Sequence, residues 1–214
     1  MAKVRVAGFG VSLDGFSAGI EQSLSDPLGK RGTEIFQWFF HTRSFRAMHG
    51  GEGGTSDGHI DDVFAQRAMD NFWRLHSRPK HVRSRAWRMD GPVMEGLVGG
   101  NPPYHAPTFV LTHYEREPIV MEGEATFFFV TGGIEEALEL AKKAGLQSRS
   151  GAACQPCGSI LKAGLIDSLH LAMAPVLLGQ GEAVFQGLDL HALGFSVTDR
   201  KSSEYATYRT LDKV

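Results

Sequence analysis

Leu161-Lys162-Ala163-Gly164-Leu165-Ile166-Asp167-Ser168-Leu169-His170-Leu171-Ala172-Met173-Ala174-Pro175-Val176-Leu177-Leu178-Gly179-Gln180-Gly181 is the stretch whose reading decides the fold. A helical pattern over Ser159 to Ala163 passes through Gly164 into a long apolar run from Leu169 to Leu178, closed by Gly179-Gln180-Gly181. An apolar run that does not alternate predicts a strand covered on both faces. Beyond it, Phe195 to Asp199 and Tyr205 to Leu211 predict a closing antiparallel pair. Before it, Thr108 to Thr112 and Thr126 to Val130 predict two more strands. Between Gly133 and Gly145 the residues Ile134, Ala137, Leu138 and Ala141 form one helical stripe, with Glu139 and Lys143 paired at i,i+4 and Gly145 as the stop. From Asp61 to about Trp73 the helical period recurs in Phe64, Ala68 and Phe72. At the start, Val4, Val6 and Phe9 form a strand that ends at Ser12-Leu13-Asp14-Gly15, where Asp-Gly favours a turn. Alternating strands and helices predict an α/β fold, with a mostly parallel mixed sheet and antiparallel strands at the C-terminal end. No repeat or linker divides the chain, so 1–214 is read as one domain.

Composition narrows the function. The chain has 214 residues, with 42% hydrophobic and 21% charged, ordinary values for a folded globular protein. A net charge of −2 makes no global case for nucleic acid or an anionic membrane. No apolar run reaches the roughly 18–20 residues of a membrane span. The opening Met1-Ala2-Lys3-Val4-Arg5-Val6 carries charges where a signal peptide is apolar, and two cysteines do not make a disulfide scaffold. The expected location is the cytoplasm.

Several local motifs invite chemistry. Asp14 follows a buried strand at its carboxyl end, where open α/β sheets gather ligands. There it is either a proton donor or ring-orienting carboxylate, or a turn aspartate bonded to nearby backbone. Cys154-Gln155-Pro156-Cys157 is a CxxC at a helix start, which makes a thiol redox protein a second competing reading, behind a non-catalytic binding protein. The nine histidines form no HExxH or HxxEH array, and no metal site is expected. Arg74, Arg78, Lys80, His81, Arg83, Arg85 and Arg88 form a basic run between Trp73 and Trp87, read as a solvated loop rather than a nucleic-acid surface. Neither GxGxxG nor GxxxxGK[ST] is present. The glycine-rich stretch from Gly19 to Gly58 holds the aromatic patch Phe36-Gln37-Trp38-Phe39-Phe40, which either borders the pocket or makes a dimer contact through Trp38 and Phe40.

Three stretches taken together resemble the C-terminal reductase domain of the bifunctional riboflavin-biosynthesis deaminase/reductase and its stand-alone relatives of the dihydrofolate-reductase fold. They are Val11-Ser12-Leu13-Asp14-Gly15-Phe16, Asn101-Pro102-Pro103-Tyr104-His105 leading into Phe109-Val110-Leu111-Thr112-His113, and the Leu161–Gly181 stretch quoted above. The resemblance implies a three-layer α/β/α fold, NADPH as hydride donor, a small heterocyclic substrate and a homodimer. By position it implies Gly10 and Val11 along the cofactor, Thr112 and His113 near its adenosine end, and Ser150, Gly151 and Ala152 at a phosphate loop. Asp14 would be the catalytic residue, facing substrate and nicotinamide, and Pro175 and Leu178 would border the substrate.

Two departures stand inside these matches. Relatives carry a glycine-arginine phosphate motif where this chain has Trp73-Arg74-Leu75-His76-Ser77-Arg78-Pro79-Lys80-His81-Val82-Arg83-Ser84. They carry a triple-glycine loop where it has Ser150-Gly151-Ala152-Ala153-Cys154-Gln155-Pro156-Cys157-Gly158-Ser159. With permitted codons, Trp73 to Ser84 reads in a neighbouring frame as Gly-Ala-Phe-Ile-Leu-Gly-Arg-Asn-Met-Phe-Gly-Pro, and Gln155 to Ile160 as Thr-Val-Arg-Gln-Tyr. Compensating frameshifts therefore account for native flanks around foreign interiors, and ordinary divergence is the alternative.

Overall fold

A computed structural model describes residues 4–23, 26–69, 73–77, 107–122, 125–143, 150–151 and 157–214. The elements run β1 (Arg5–Ser12), a 3-10 turn (Gly32–Phe36), α1 (Gln37–Phe40), α2 (Arg43–Met48), α3 (Ile60–Met69), β2 (Trp73–Ser77), β3 (Thr108–Leu111), β4 (Ile119–Val120) and β5 (Thr126–Val130). There follow α4 (Gly133–Lys143), β6 (Ser150–Gly151), α5 (Cys157–Lys162), β7 (Ser168–Ala174), β8 (Phe195–Ser202) and β9 (Thr207–Lys213).

The strands form a four-stranded sheet ordered β1-β7-β9-β8 and a five-stranded sheet ordered β4-β5-β3-β2-β6. β1 and β7 are parallel, as are β2 with β3, β2 with β6 and β3 with β5. β7 with β9, β8 with β9 and β4 with β5 are antiparallel. The parallel body with an antiparallel C-terminal pair is as expected. β1 ends one sheet, β6 ends the other, and the two lie in contact, so a seam runs between the sheets along β1.

β7 shows why a non-alternating run makes a central strand. Its Leu169 and Leu171 face one core, with Val6, Phe9, Val11, α4 residues Ala137, Leu138 and Ala141, and α5 residues Ile160 and Leu161. Ala172 faces a second core with Trp38, Phe64, Ala65, Ala206 and Tyr208. Two covered faces put helices on both sides, which is the three-layer arrangement. Val6 and Phe9 sit at positions of opposite parity yet share the first core. A register shift between them, at left-handed Gly8 (φ 63°), resets the alternation.

The elements differ from expectation in several places, and β6, like β4, is a two-residue strand that was not expected. The strand expected to reach Leu178 stops at Ala174, because Pro175 has no N–H for the ladder. The helix expected to reach Trp73 ends at Met69, and Trp73–Ser77 is instead a strand between β3 and β6; the rest of the basic run lies outside the described residues. β4 was not expected, since two residues carry no period. The stretch read as loop contains α1 and α2; Thr42 caps α2 by accepting from Phe45 N at 3.1 Å.

Trp38 is buried at 2% exposure, edge-on to Tyr208 at 5.6 Å between ring centres. The reading of Trp38 as a dimer contact is therefore corrected: it is core.

Candidate functional site

Asp14 lies just past the carboxyl end of β1, on an exposed turn. Its Oδ1 accepts the Ser12 hydroxyl at 2.6 Å and the Leu178 amide at 3.2 Å, and its Oδ2 accepts the Gly179 amide at 2.6 Å. Ser12 is held in turn: its Oγ accepts the Phe16 amide at 2.9 Å. The Ser12 hydrogen bond, followed by those from Gly179 and Leu178, outweighs partial desolvation and holds the Asp14 carboxyl below its ordinary value. The group is therefore ionised at neutral pH. A carboxylate offers about four acceptor positions, of which three are taken, so one remains on Oδ2 for an N–H donor.

The loop from Pro175 to Gly181 is fastened to the turn by more than Asp14. Leu13 N donates to Val176 O at 2.9 Å, and the Arg31 guanidinium donates to Leu177 O at 3.0 Å while gripping Glu34 with two bonds of 2.8 Å. Farther along, Ser17 N donates to Glu182 O and Glu182 N to Ala18 O, a short antiparallel pairing. Gly181, with φ 151°, brings its Cα against the Ala18 carbonyl, where a Cβ would collide with that oxygen. Leu13 and Leu177, both exposed, stand on the two joined loops next to the carboxylate.

Asp14, Pro175 and Leu178 are thus brought to one place: Leu178 bonds Asp14 directly, and Pro175 begins the loop as an exposed residue. Gly10 and Val11 are buried, and Val11 points into the first core. Packing requires a glycine at position 10, since a Cβ there would lie 2.9 Å from Ile35 Cγ2 and from Phe36 Cε1. Their strand borders the seam that β6, Ser150–Gly151, borders from the other side. Thr112 and His113 follow β3 at its carboxyl end, with Thr112 N donating to Val130 O at 3.0 Å and Thr112 Oγ1 accepting the Tyr114 amide at 3.2 Å. Ala152 and Cys154 lie outside the described residues, and Cys157 is the first residue of α5.

Two places among the described residues bear on the fit to NADPH. The acceptor left open on Asp14 Oδ2 suits an amide-bearing ring. The start of α4 does not suit a phosphate: Gly132 N already donates to Glu136 Oε2 at 2.7 Å, and Glu135 adds a second carboxylate. Leu177 and Gly179 fall in the Pro175–Gly181 segment that the resemblance puts on the substrate side, whereas Ser12 and Arg31 were not expected at the site. Only Ser12, two residues before an aspartate in a turn, offered a signal.

A second cluster was not legible in the sequence. His41, His59 and Asp61 converge although the histidines fit no metal motif.

The RibD C-terminal domain family matches residues 88–208, more than half of the chain. Among solved structures, a protein from Shewanella sp. PV-4 described as belonging to riboflavin biosynthesis is similar at a TM-score of 0.59 and 19% identity, over 100% of this chain and 99% of that one. The diaminohydroxyphosphoribosylaminopyrimidine deaminase/5-amino-6-(5-phosphoribosylamino)uracil reductase of Thermotoga maritima is similar at 0.54 and 14% identity, over 100% of this chain and 57% of that one. Acinetobacter baumannii RibD gives 0.51 and 15% identity, over 100% and 58%. The chain spans less than two thirds of the last two. No curated protein matches the sequence. At these identities the structural likeness speaks for the fold, and the α/β fold that the resemblance implies is the one observed. With a family match over residues 88–208, this chain belongs to the RibD C-terminal domain family.

Proposed function

We propose that the chain is a reductase that uses NADPH to reduce a small heterocyclic compound, of the type of the phosphoribosylaminouracil reductase named for its Thermotoga relative. One domain carries the reaction, in a cytoplasmic homodimer. The observation that supports this reading most is the Asp14–Leu178–Gly179 clasp. Residues named from two distant stretches for the substrate side meet at the carboxyl end of β1, beside the seam between the sheets. Open α/β sheets take their ligands at such a position.

NADPH supplies the hydride in this reading. Gly10 and Val11 on β1 (through their backbone), Ser150 and Gly151 at β6, and Thr112 and His113 after β3 would hold it, with Ala152, which lies outside the described residues, as the last member of the set. Asp14 does not donate a proton, because its neighbours keep it ionised. It accepts one N–H from the bound ring at Oδ2 and fixes that ring against the loop from Pro175 to Leu178. Leu13 and Leu177 exclude water from its apolar faces. The sequence expectation of a general acid is thereby narrowed to a positioning carboxylate.

Titrating NADPH and following its fluorescence tests the cofactor, and NADPH oxidation with pyrimidine substrates tests the reaction. The reading requires saturable binding; no binding up to millimolar NADPH overturns it. That second outcome favours a protein of this fold that has lost its cofactor, a reading supported by the loss of both glycine-rich phosphate motifs.

A further inference from the structure

We propose that His41, His59 and Asp61 form a binding site for one divalent transition-metal ion of the zinc type, which ties the aromatic insertion to the core of the protein. The donor atoms are His41 Nε2, His59 Nδ1 and Asp61 Oδ2. Asp61 Oδ2 lies 2.8 Å from His41 Nε2 and 3.7 Å from His59 Nδ1, and the donor atoms all fall within 4.8 Å of one another. Bonds of about 2.0–2.2 Å in a tetrahedral zinc site put donors about 3.3 Å apart, so the two distances to Asp61 Oδ2 need shifts of about half an ångström, and the two imidazoles, within 4.8 Å, close by about an ångström through rotation of the partly exposed His59 ring.

Two of the three donors, His41 and Asp61, are already oriented as ligands are, and an ion would take His59 Nδ1 from its long bond to the Asp61 amide. His41 Nδ1 sits 2.9 Å from the Gln37 carbonyl, so its proton goes there and Nε2 faces Asp61. A ligating imidazole held by a backbone carbonyl through its other nitrogen is the usual support for a metal site. Tyr208, on β9, donates to Asp61 Oδ1 at 2.6 Å, leaving Oδ2 for the ion. The Asp61 amide donates to His59 Nδ1 at 3.4 Å, which marks that nitrogen as the lone-pair side of its ring. His41 also packs on Tyr205 at 4.1 Å between ring centres, which limits its rotation.

The charge of the site calls for a cation. Asp61 is fully buried, and a buried carboxylate needs a positive partner as well as hydrogen bonds. With both His41 nitrogens facing oxygens, Nε2 can bridge to Oδ2 through a proton or through a metal ion. Two imidazoles and one carboxylate are a donor set that suits zinc and its neighbours, and poorly suits calcium or magnesium. His41 and His59 side chains keep 27% and 36% of their surface exposed, so an ion can enter and water can complete its shell.

The test uses the full chain with Cys154 and Cys157 replaced by Ser, so that no thiol competes, after removal of metal by chelation. Zinc is titrated by calorimetry, and cobalt(II) serves as a probe whose visible bands report four-coordination. The expected result is one ion per chain with micromolar or tighter affinity, weakened about tenfold or more by His41→Ala and by His59→Ala. Circular dichroism confirms that each variant is folded; His59→Ala, at a partly exposed position, carries the test if His41→Ala is not. Absence of uptake at about 100 µM zinc, or uptake that the folded variants leave unchanged, overturns the proposal.

Discussion

The amide of Gly179 donates to Oδ2 of Asp14 at 2.6 Å across 165 positions of sequence. That bond, with its Leu178 companion, makes the loop after β7 and the turn after β1 one structure. The candidate substrate side depends on it.

Asp14→Asn turns one acceptor oxygen into an NH₂ group. It then meets the amide of Leu178 or Gly179 donor to donor, and the clasp loosens. The expected result is a KM for the heterocycle raised about tenfold with kcat changed less than about threefold, and nearly unchanged NADPH affinity. Loss of about 10²–10⁴ in kcat alone would show that Asp14 donates a proton after all. Steady-state kinetics separate the two. The depressed carboxyl also sets a pH sign: the clasp is intact above the ordinary value of 3.8 and is lost only as pH falls through the lower folded value.

His170 gives an acid-sensitive fold. Burial first, then the charges of Arg5 and Arg67, lower its pKa from 6.5 to about 4, and its Nδ1 has no hydrogen-bond partner. Between these values the unfolded chain binds a proton that the folded chain does not, so stability falls as pH drops from 6.5 to 4. At about 1.4 kcal/mol per unit, the full loss is about 3 kcal/mol. Urea melts of the parent and of His170→Phe at the two ends of this window check it; the variant is expected to lose less.

Tyr208→Phe keeps the stacking on Phe64, at 4.0 Å between ring centres, and removes the bond to buried Asp61. Burial and that bond raise the Tyr208 pKa, so it is a steady donor, and its loss leaves Oδ1 unpaired. The expected cost is about 1–3 kcal/mol, read from the urea midpoint at constant slope. A neutral variant would show that Asp61 Oδ1 finds water instead.

Gly10→Ala places a methyl 2.9 Å from Ile35 Cγ2 and Phe36 Cε1. Overpacking of this kind costs about 1–3 kcal/mol, and the thermal midpoint should fall accordingly. An unchanged midpoint would show that the 3-10 turn shifts freely, and Gly10 would then be kept for another reason.

Replacing Trp73–Ser84 and Gln155–Ile160 by their neighbouring-frame readings restores the glycine-arginine motif and supplies a helix start in place of the CxxC. Fluorescence titration is expected to show NADPH bound at least about tenfold more tightly, a gain of about 1.4 kcal/mol. Equal affinity would leave ordinary divergence as the account. The encoding nucleotide sequence decides the same point directly.

The strands and helices legible in the sequence were those whose residues meet a uniform environment. Leu169, Leu171 and Ala172 announce a strand because both of its faces are covered, and the Ile134–Ala141 stripe announces a helix because one face is. Val6 and Phe9 could not reveal the bulge that reconciles them, since a left-handed glycine leaves no period. Asp14 was legible as a position, but its role was not. The bonds from Leu178 and Gly179 that keep it ionised come from the far end of the chain, and no spacing encodes them. The same holds for His41, His59 and Asp61, which a helix start and two turns bring together.

β7 lies between β1 and β9, and Arg5 pairs with Ser168. During synthesis the first strand therefore waits for about 160 residues before its partner leaves the ribosome, at a usual pace of about 5–20 residues per second. β3 and β5 can pair long before that. The sheet closes late, when β7 is inserted between β1 and β9, and a truncation before Ser168 leaves the β1 edge without its parallel partner and open to pairing with another chain.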